Sequence, residues 1–153
     1  MANSKNPNAR EYYVYRFLSN GRTFYIGKGH WPPGNKWHRV NDRGNYVKWL
    51  RTQKQHKDWS KQEIQVLNRL RFDHKMEIRW EFLDRDKTSD EAEQIEKERI
   101  REYVLQRGCK LANVRDNPAP CTVDAVVEYV LNGSPEPSRA DLWVLGFSGR
   151  AQS

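Results

Sequence analysis

The sequence predicts an α+β domain: a small central antiparallel β-sheet, built from a β-hairpin and a third strand, flanked by helices and followed by a helical C-terminal appendage. Three observations carry that prediction. Residues 12–29, YYVYRFLSNGRTFYIGKG, are two aromatic and β-branched runs separated by Ser19-Asn20-Gly21, and glycine accepts the positive φ a tight hairpin turn needs. Residues 76–82, MEIRWEF, alternate apolar and polar without fault, the pattern of a half-buried strand. Ser60 with Glu63 and Thr88 with Glu91 each form a capping box, in which side chains satisfy the first N–H groups of a helix.

The elements follow in order. Residues 1–11 are a polar lead-in. The hairpin comes next, and its register has two solutions. A two-residue Asn20-Gly21 loop pairs Arg16 with Tyr25 and sends Tyr15 and Tyr25 to opposite faces. A three-residue Ser19–Gly21 loop sets Tyr15 directly across from Tyr25, because side chains alternate with period two. After Gly29, the run His30-Trp31-Pro32-Pro33-Gly34 reads as a rigid loop. Asn35 caps a helix beginning near Lys36, which Gly44 interrupts or ends, and Asn45 caps a second piece with Val47, Trp49 and Leu50. A helix with Ile64 and Leu67 on its apolar face follows Ser60. The strand at Met76 to Phe82 turns Met76, Ile78, Trp80 and Phe82 inward. The helix opened at Thr88 runs to about Gln106 and stops at Gly108. Lys110 to Val114 is a short apolar return, broken by Asn117-Pro118-Ala119-Pro120. Thr122 caps a last helix that ends at Gly133. Residues 12–116 make the main domain, and 117–153 hold this helix, a linker and an apolar tail.

Composition narrows the function classes. The chain has 153 residues, 37% hydrophobic, enough for one modest core. No apolar run approaches the ~18 residues that span a membrane, and no signal segment opens the chain, so a soluble, cytoplasmic protein is expected. Two cysteines without a CxxC or Cys/His cluster exclude a zinc pattern or a disulfide framework and fit thiols in a reducing compartment. Net charge is +7, and residues 1–60 carry 12 Lys/Arg against 3 Asp/Glu. A basic half of this kind suits a polyanion, of which phosphate backbones are the commonest. The basic residues are interleaved with Trp31, Trp37, Tyr46 and Trp49 and not with an aliphatic stripe, which disfavours a membrane surface.

One acid stands out by position. In the helix after Thr88, Glu96 has Ala92 and Ile100 as its neighbours four residues away, so it points inward, whereas Glu93 pairs outward with Lys97. An inward acid has to be paired with a cation, protonated or metal-bound. Lys36, Arg39 and Arg43 share one helical face that can line a phosphate path. Lys28 or Arg39 can supply a cation beside the tyrosines. A phenol ordinarily ionises near pH ~10, so it serves as a base near neutrality only with such a neighbour. His30 and His38 are candidate proton carriers or phosphate contacts.

The order of Tyr13-Val14-Tyr15, Tyr25-Ile26-Gly27, Glu91 to Glu96 and Leu111-Ala112-Asn113-Val114 resembles the GIY-YIG nuclease superfamily over roughly residues 12–116. The first motif carries Tyr13 in place of glycine, and Trp31-Pro32-Pro33 looks like an insertion. The resemblance implies hydrolysis of phosphodiesters, usually in DNA, with one Mg²⁺ or Mn²⁺ ion held by Glu96. It implies Tyr15 as base or proton relay, Tyr25 as a supporting phenol, Lys28 as an electrostatic aid, and Asn113 as a residue that orders the site. It also implies a shared tyrosine face, which favours the three-residue hairpin loop. For the arginine that stabilises transition-state charge, Lys36, Arg39 and Arg43 are all within reach. Arg39 is preferred because its planar fork matches phosphate oxygens. The expected nucleic-acid contacts are Lys28, His30, Lys36, His38, Arg39, Arg43 and Lys48. Two other classes stand beside the endonuclease: a nucleic-acid-binding module that keeps the fold without the chemistry, and a protein-interaction adaptor. A homodimer or protein partner would dock on the C-terminal apolar segments Val123 to Leu131 and Leu142 to Phe147.

Overall fold

The computed structural model describes residues 9–30 and 61–133. Three strands, β1 (Tyr12–Ser19), β2 (Arg22–His30) and β3 (Arg79–Lys87), form an antiparallel sheet in the order β2-β1-β3. Three helices pack with it: α1 (Gln62–Asn68), α2 (Ser89–Arg101) and α3 (Val123–Asn132). α1 and α2 each end in a wider π-type turn, at Arg69–Asp73 and Glu102–Gln106. This is the expected α+β class. The helices expected after Lys36 and Asn45, the Pro-Pro loop and the apolar tail lie outside the described residues. Among the described residues, no helix is long and apolar enough to cross a membrane.

The hairpin takes neither of the two simple registers. Its loop has two residues, with Asn20 (φ 55°) and Gly21 (φ 73°) both left-handed, the backbone twist that joins antiparallel strands best. Ser19 therefore pairs with Arg22 and Leu18 with Thr23. A bulge at Phe24 then inserts one residue into β2, so that Phe17 pairs with Tyr25 and Tyr15 with Gly27. One extra residue flips every later side chain to the other face. Tyr15 and Tyr25 thus share a face, as expected, but as diagonal neighbours with ring centroids 6.2 Å apart.

That face is a plate of rings. Tyr15 stacks on Trp80 (5.0 Å, 14°), and Tyr13 meets Trp80 and Phe82 edge-on. Across the strand pair, Tyr13 sits over Gly29 and Tyr15 over Gly27. A Cβ on Gly27 would stand 2.5 Å from the Tyr15 ring, and one on Gly29 2.2 Å from the Tyr13 ring. The alternating tyrosines of YVY thus fit the alternating glycines of GKG.

The third strand starts later than its alternation suggests, at Arg79 and not Met76. The α1 turn closes through Met76 N–H to Leu70 O (2.9 Å), and Lys75 takes a positive φ of 58°. Residues 74–78 are spent leaving that turn. At the other end, the polar stretch 84–87 becomes strand because β1 pairs with it out to Tyr12–Lys87. α1 begins at Gln62 behind Lys61, which makes no side-chain capping bond, one residue later than a Ser60 cap implies; Ser60 lies outside the described residues. The Thr88–Glu91 box forms in both directions.

The last helix is part of the core and not an appendage. Val126, Val127 and Val130 are buried, and α3 packs on α1 and β2. Its C-terminal carbonyls are satisfied by the hairpin: Asn20 Nδ2 and Arg22 Nη1 both donate to Val130 O (3.1 and 3.2 Å), and Arg22 Nη2 donates to Gly133 O. The Pro-containing segment before it is pinned by Asn117, which donates to Asn113 O (2.8 Å) and accepts from Ala119 N–H (2.8 Å).

Candidate functional site

α2 lies on the face of the sheet opposite the tyrosine plate. Its Arg99 bonds Asp84 (3.2 Å), the cross-strand partner of Val14. Its Glu93 lies 3.8 Å from Lys28, which also pairs with Val14. β2 is an edge strand, and at its outer edge opens a pocket of about 610 Å³. Four stretches line it: Tyr25 and Lys28 from β2, Lys61 to Glu63 at the start of α1, Glu93, Glu96 and Ile100 from α2, and Asn113 to Asp116 from the apolar return. Tyr25 and Lys28 are three apart and point to opposite faces. They meet in one pocket because it wraps the outer edge of their strand.

Asn113 closes that edge. Its Oδ1 accepts from Ile26 N–H (3.0 Å) and its Nδ2 donates to Ile26 O (2.8 Å), while Ala112 N–H donates to Phe24 O (2.6 Å). A carboxamide presents the same donor and acceptor pair as a peptide group, so Asn113 stands in for one residue of a fourth strand. The bond fixes the backbone between Tyr25 and Lys28. Asn113→Leu would leave both Ile26 groups unpaired in a buried place, and is expected to destabilise the fold by about 2–5 kcal/mol. Urea unfolding followed by circular dichroism measures it; an unchanged midpoint would mean the lock carries no stability.

Charges in the pocket nearly balance, with Lys28, Lys61 and Arg115 against Glu63, Glu93, Glu96 and Asp116. Lys28 Nζ donates to Ser89 Oγ (3.3 Å), and Glu93 is shared with Lys97 at 3.7 Å. Glu96 differs from its neighbours. It is half-buried, and no described residue hydrogen-bonds or salt-bridges it. Burial raises its carboxyl above the ordinary glutamate range; Lys28 and Arg115 oppose the rise, and Asp116 and Glu93 add to it.

Among the described residues, no three acidic, histidine or cysteine side chains cluster as a ready-made metal cage. A single carboxylate fits Mg²⁺, which keeps several waters and takes one or two carboxylates plus phosphate oxygens. A half-buried carboxylate without a hydrogen-bond partner is the group such an ion would use. The fit is to Glu96.

The pocket therefore gathers four of the residues singled out in the sequence: Tyr25, Lys28, Glu96 and Asn113. Tyr15 is one ring behind Tyr25, packed between Trp80 and Gly27. His30 points elsewhere, bonded to Glu11 (2.7 Å) and stacked on Tyr12. Lys36, His38, Arg39, Arg43 and Lys48 lie outside the described residues. Sequence reasoning missed Lys61, Val114, Arg115 and Asp116. The available signal was a charged pair held between two asparagines, Asn113 and Asn117, directly after an apolar segment. Compared with known proteins, the chain matches no family model, no curated protein and no solved structure.

Proposed function

We propose that this protein is a metal-dependent endonuclease of the GIY-YIG type, hydrolysing phosphodiester bonds in DNA. One observation carries the reading: Tyr25, Lys28, Glu96 and Asn113, distant in sequence and each a candidate for this chemistry from the sequence alone, line a single pocket. Glu96 would hold one Mg²⁺ or Mn²⁺ ion. When bound, the ion neutralises phosphate charge and polarises water.

The chain's own groups do the rest. In-line attack of water on phosphorus forms one P–O bond and breaks the bond to the leaving sugar oxygen, which takes up a proton from solvent; the attacking water gives up a proton, and Tyr25 Oη is the phenol beside the pocket to accept or relay it. Lys28 adds positive charge where the phosphate becomes more negative. Tyr15, which the resemblance alone makes the base, instead supports the Tyr25 ring from behind. Asn113 holds β2 so that Tyr25 and Lys28 keep their spacing. Arg39 is the clamp from the basic stretch.

The test is cleavage of supercoiled plasmid with Mg²⁺, with and without EDTA, by the wild-type chain and Glu96→Ala. Nicking that disappears in both controls is expected. Tyr25→Phe is expected to lower kcat by about 10²–10³-fold, and Tyr15→Phe by no more than about tenfold; the reverse order would return the proton transfer to Tyr15. Absence of cleavage together with salt-sensitive DNA binding would replace the endonuclease by a binding module.

A further inference from the structure

At the pocket mouth, residues 113–117 form a loop whose ends are fixed and whose tip is bare. Asn113 and Asn117 are 7% and 8% exposed. The first is bonded to both backbone groups of Ile26, and the second to Asn113 O and Leu111 O (2.8 and 3.4 Å). Between them Asp116 takes a left-handed φ of 64°. The tip is Val114, 61% exposed, and Arg115, whose side chain is 86% exposed. Among the described residues its ion-pair partner is the neighbouring Asp116, at 3.9 Å, and its charge also acts on Glu96. The loop thus carries an exposed apolar residue and an exposed guanidinium between two asparagines that are hydrogen-bonded in place. The backbone on either side of the tip is already held, so binding has side chains to order more than backbone. Lys61 lines the same pocket from α1.

We propose that Arg115 and Lys61 form a second phosphate subsite, which holds the substrate-strand phosphate next to the one positioned at Glu96, with Val114 against the intervening sugar. The subsite rests on the endonuclease reading. It deepens that reading by requiring a polynucleotide with consecutive phosphates, and not an isolated phosphodiester. Guanidinium and ammonium both neutralise phosphate and release condensed counterions, so each contact steepens the dependence of binding on salt.

The experiment compares wild type, Arg115→Ala, Arg115→Lys and Lys61→Ala on a labelled DNA oligonucleotide. Steady-state cleavage with Mg²⁺ gives kcat and KM, and anisotropy titrations in EDTA at several NaCl concentrations give the salt slope. Arg115→Ala is expected to raise KM about tenfold with kcat changed less than about twofold, and to flatten the slope by about 0.7–0.9. Its melting temperature should match wild type. Arg115→Lys should restore most of the slope, because a point charge also neutralises a phosphate. Lys61→Ala should flatten the slope by the same step. Cleavage with KM and slope unchanged in Arg115→Ala would overturn the subsite and leave the endonuclease standing. DNA binding with the expected slope changes but without cleavage would support the subsite and remove the hydrolysis. A wild-type chain that neither binds nor cuts DNA would overturn both.

Discussion

Glu96→Gln is expected to lose DNA cleavage by about a hundredfold or more while melting at a higher temperature than the wild-type chain at pH 7. Both effects come from one carboxyl. Burial raises the folded-state pKa of Glu96 above its unfolded value. Between the two values the folded chain holds the proton more often than the unfolded chain does. Stability therefore falls as pH rises through that window; the contribution is whole below the unfolded pKa and gone above the folded one. Glutamine does not ionise, so the variant escapes the loss. Its advantage over wild type should grow from pH 4 to pH 7 in thermal melts. Activity moves the opposite way, because a metal binds the carboxylate form, and wild-type cleavage should climb as pH rises through the same range. A Glu96→Gln chain less stable than wild type at pH 7 would identify Glu96 as half of a structural ion pair and not as a site held at a cost to the fold.

Gly27→Ala is expected to destabilise the fold by about 1–3 kcal/mol, the usual cost of overpacking. The sign is informative. Glycine inside a strand is normally a weakness, and alanine there should help by about 0.5–1 kcal/mol. Here the new Cβ would stand 2.5 Å from the Tyr15 ring and hydroxyl. Tyr15 is 5% exposed and stacked on Trp80, so the ring has nowhere cheap to go. A double-mutant cycle isolates that clash. In a Tyr15→Val background, Gly27→Ala should cost at least about 1 kcal/mol less than in wild type, read from urea midpoints at constant slope. Equal costs in the two backgrounds would mean that the ring and the glycine are not coupled. Because Tyr15 backs Tyr25, loss of packing here should also lower cleavage before the fold is lost.

These two predictions draw on different kinds of information. Glu96 was legible because a helix turns through a fixed angle per residue, so Ala92 and Ile100 place it on the inner face whatever surrounds the helix. The capping residues Thr88 and Thr122 were legible for a similar reason: Thr88 Oγ1 accepts from Glu91 N–H and Thr122 Oγ1 from Ala125 N–H, both three residues on. The Asn20-Gly21 loop, left-handed at both residues, was one of the two loops that the sequence offered and not the favoured one.

The tyrosine pairing was not local in that sense. Its register depends on the bulge at Phe24, whose carbonyl is held by Ala112 from the far end of the chain, and one inserted residue decides which face every later side chain takes. The start of β3 was shifted by the exit from α1 at Lys75, and its polar end was made strand by pairing with β1. α3 looked detachable because prolines precede it, yet the hairpin caps its last carbonyls. The sequence by itself determined the α+β class, the Thr88 and Thr122 caps and the inward acid, since the caps and the acid rest on contacts within about one helical turn. Only the tertiary structure decided that Tyr25, and not Tyr15, borders the pocket with Glu96, that Asn113 serves as a strand, and that Arg115 stands at the mouth. Those outcomes are set by hydrogen bonds between segments distant in sequence, whose register no local pattern specifies.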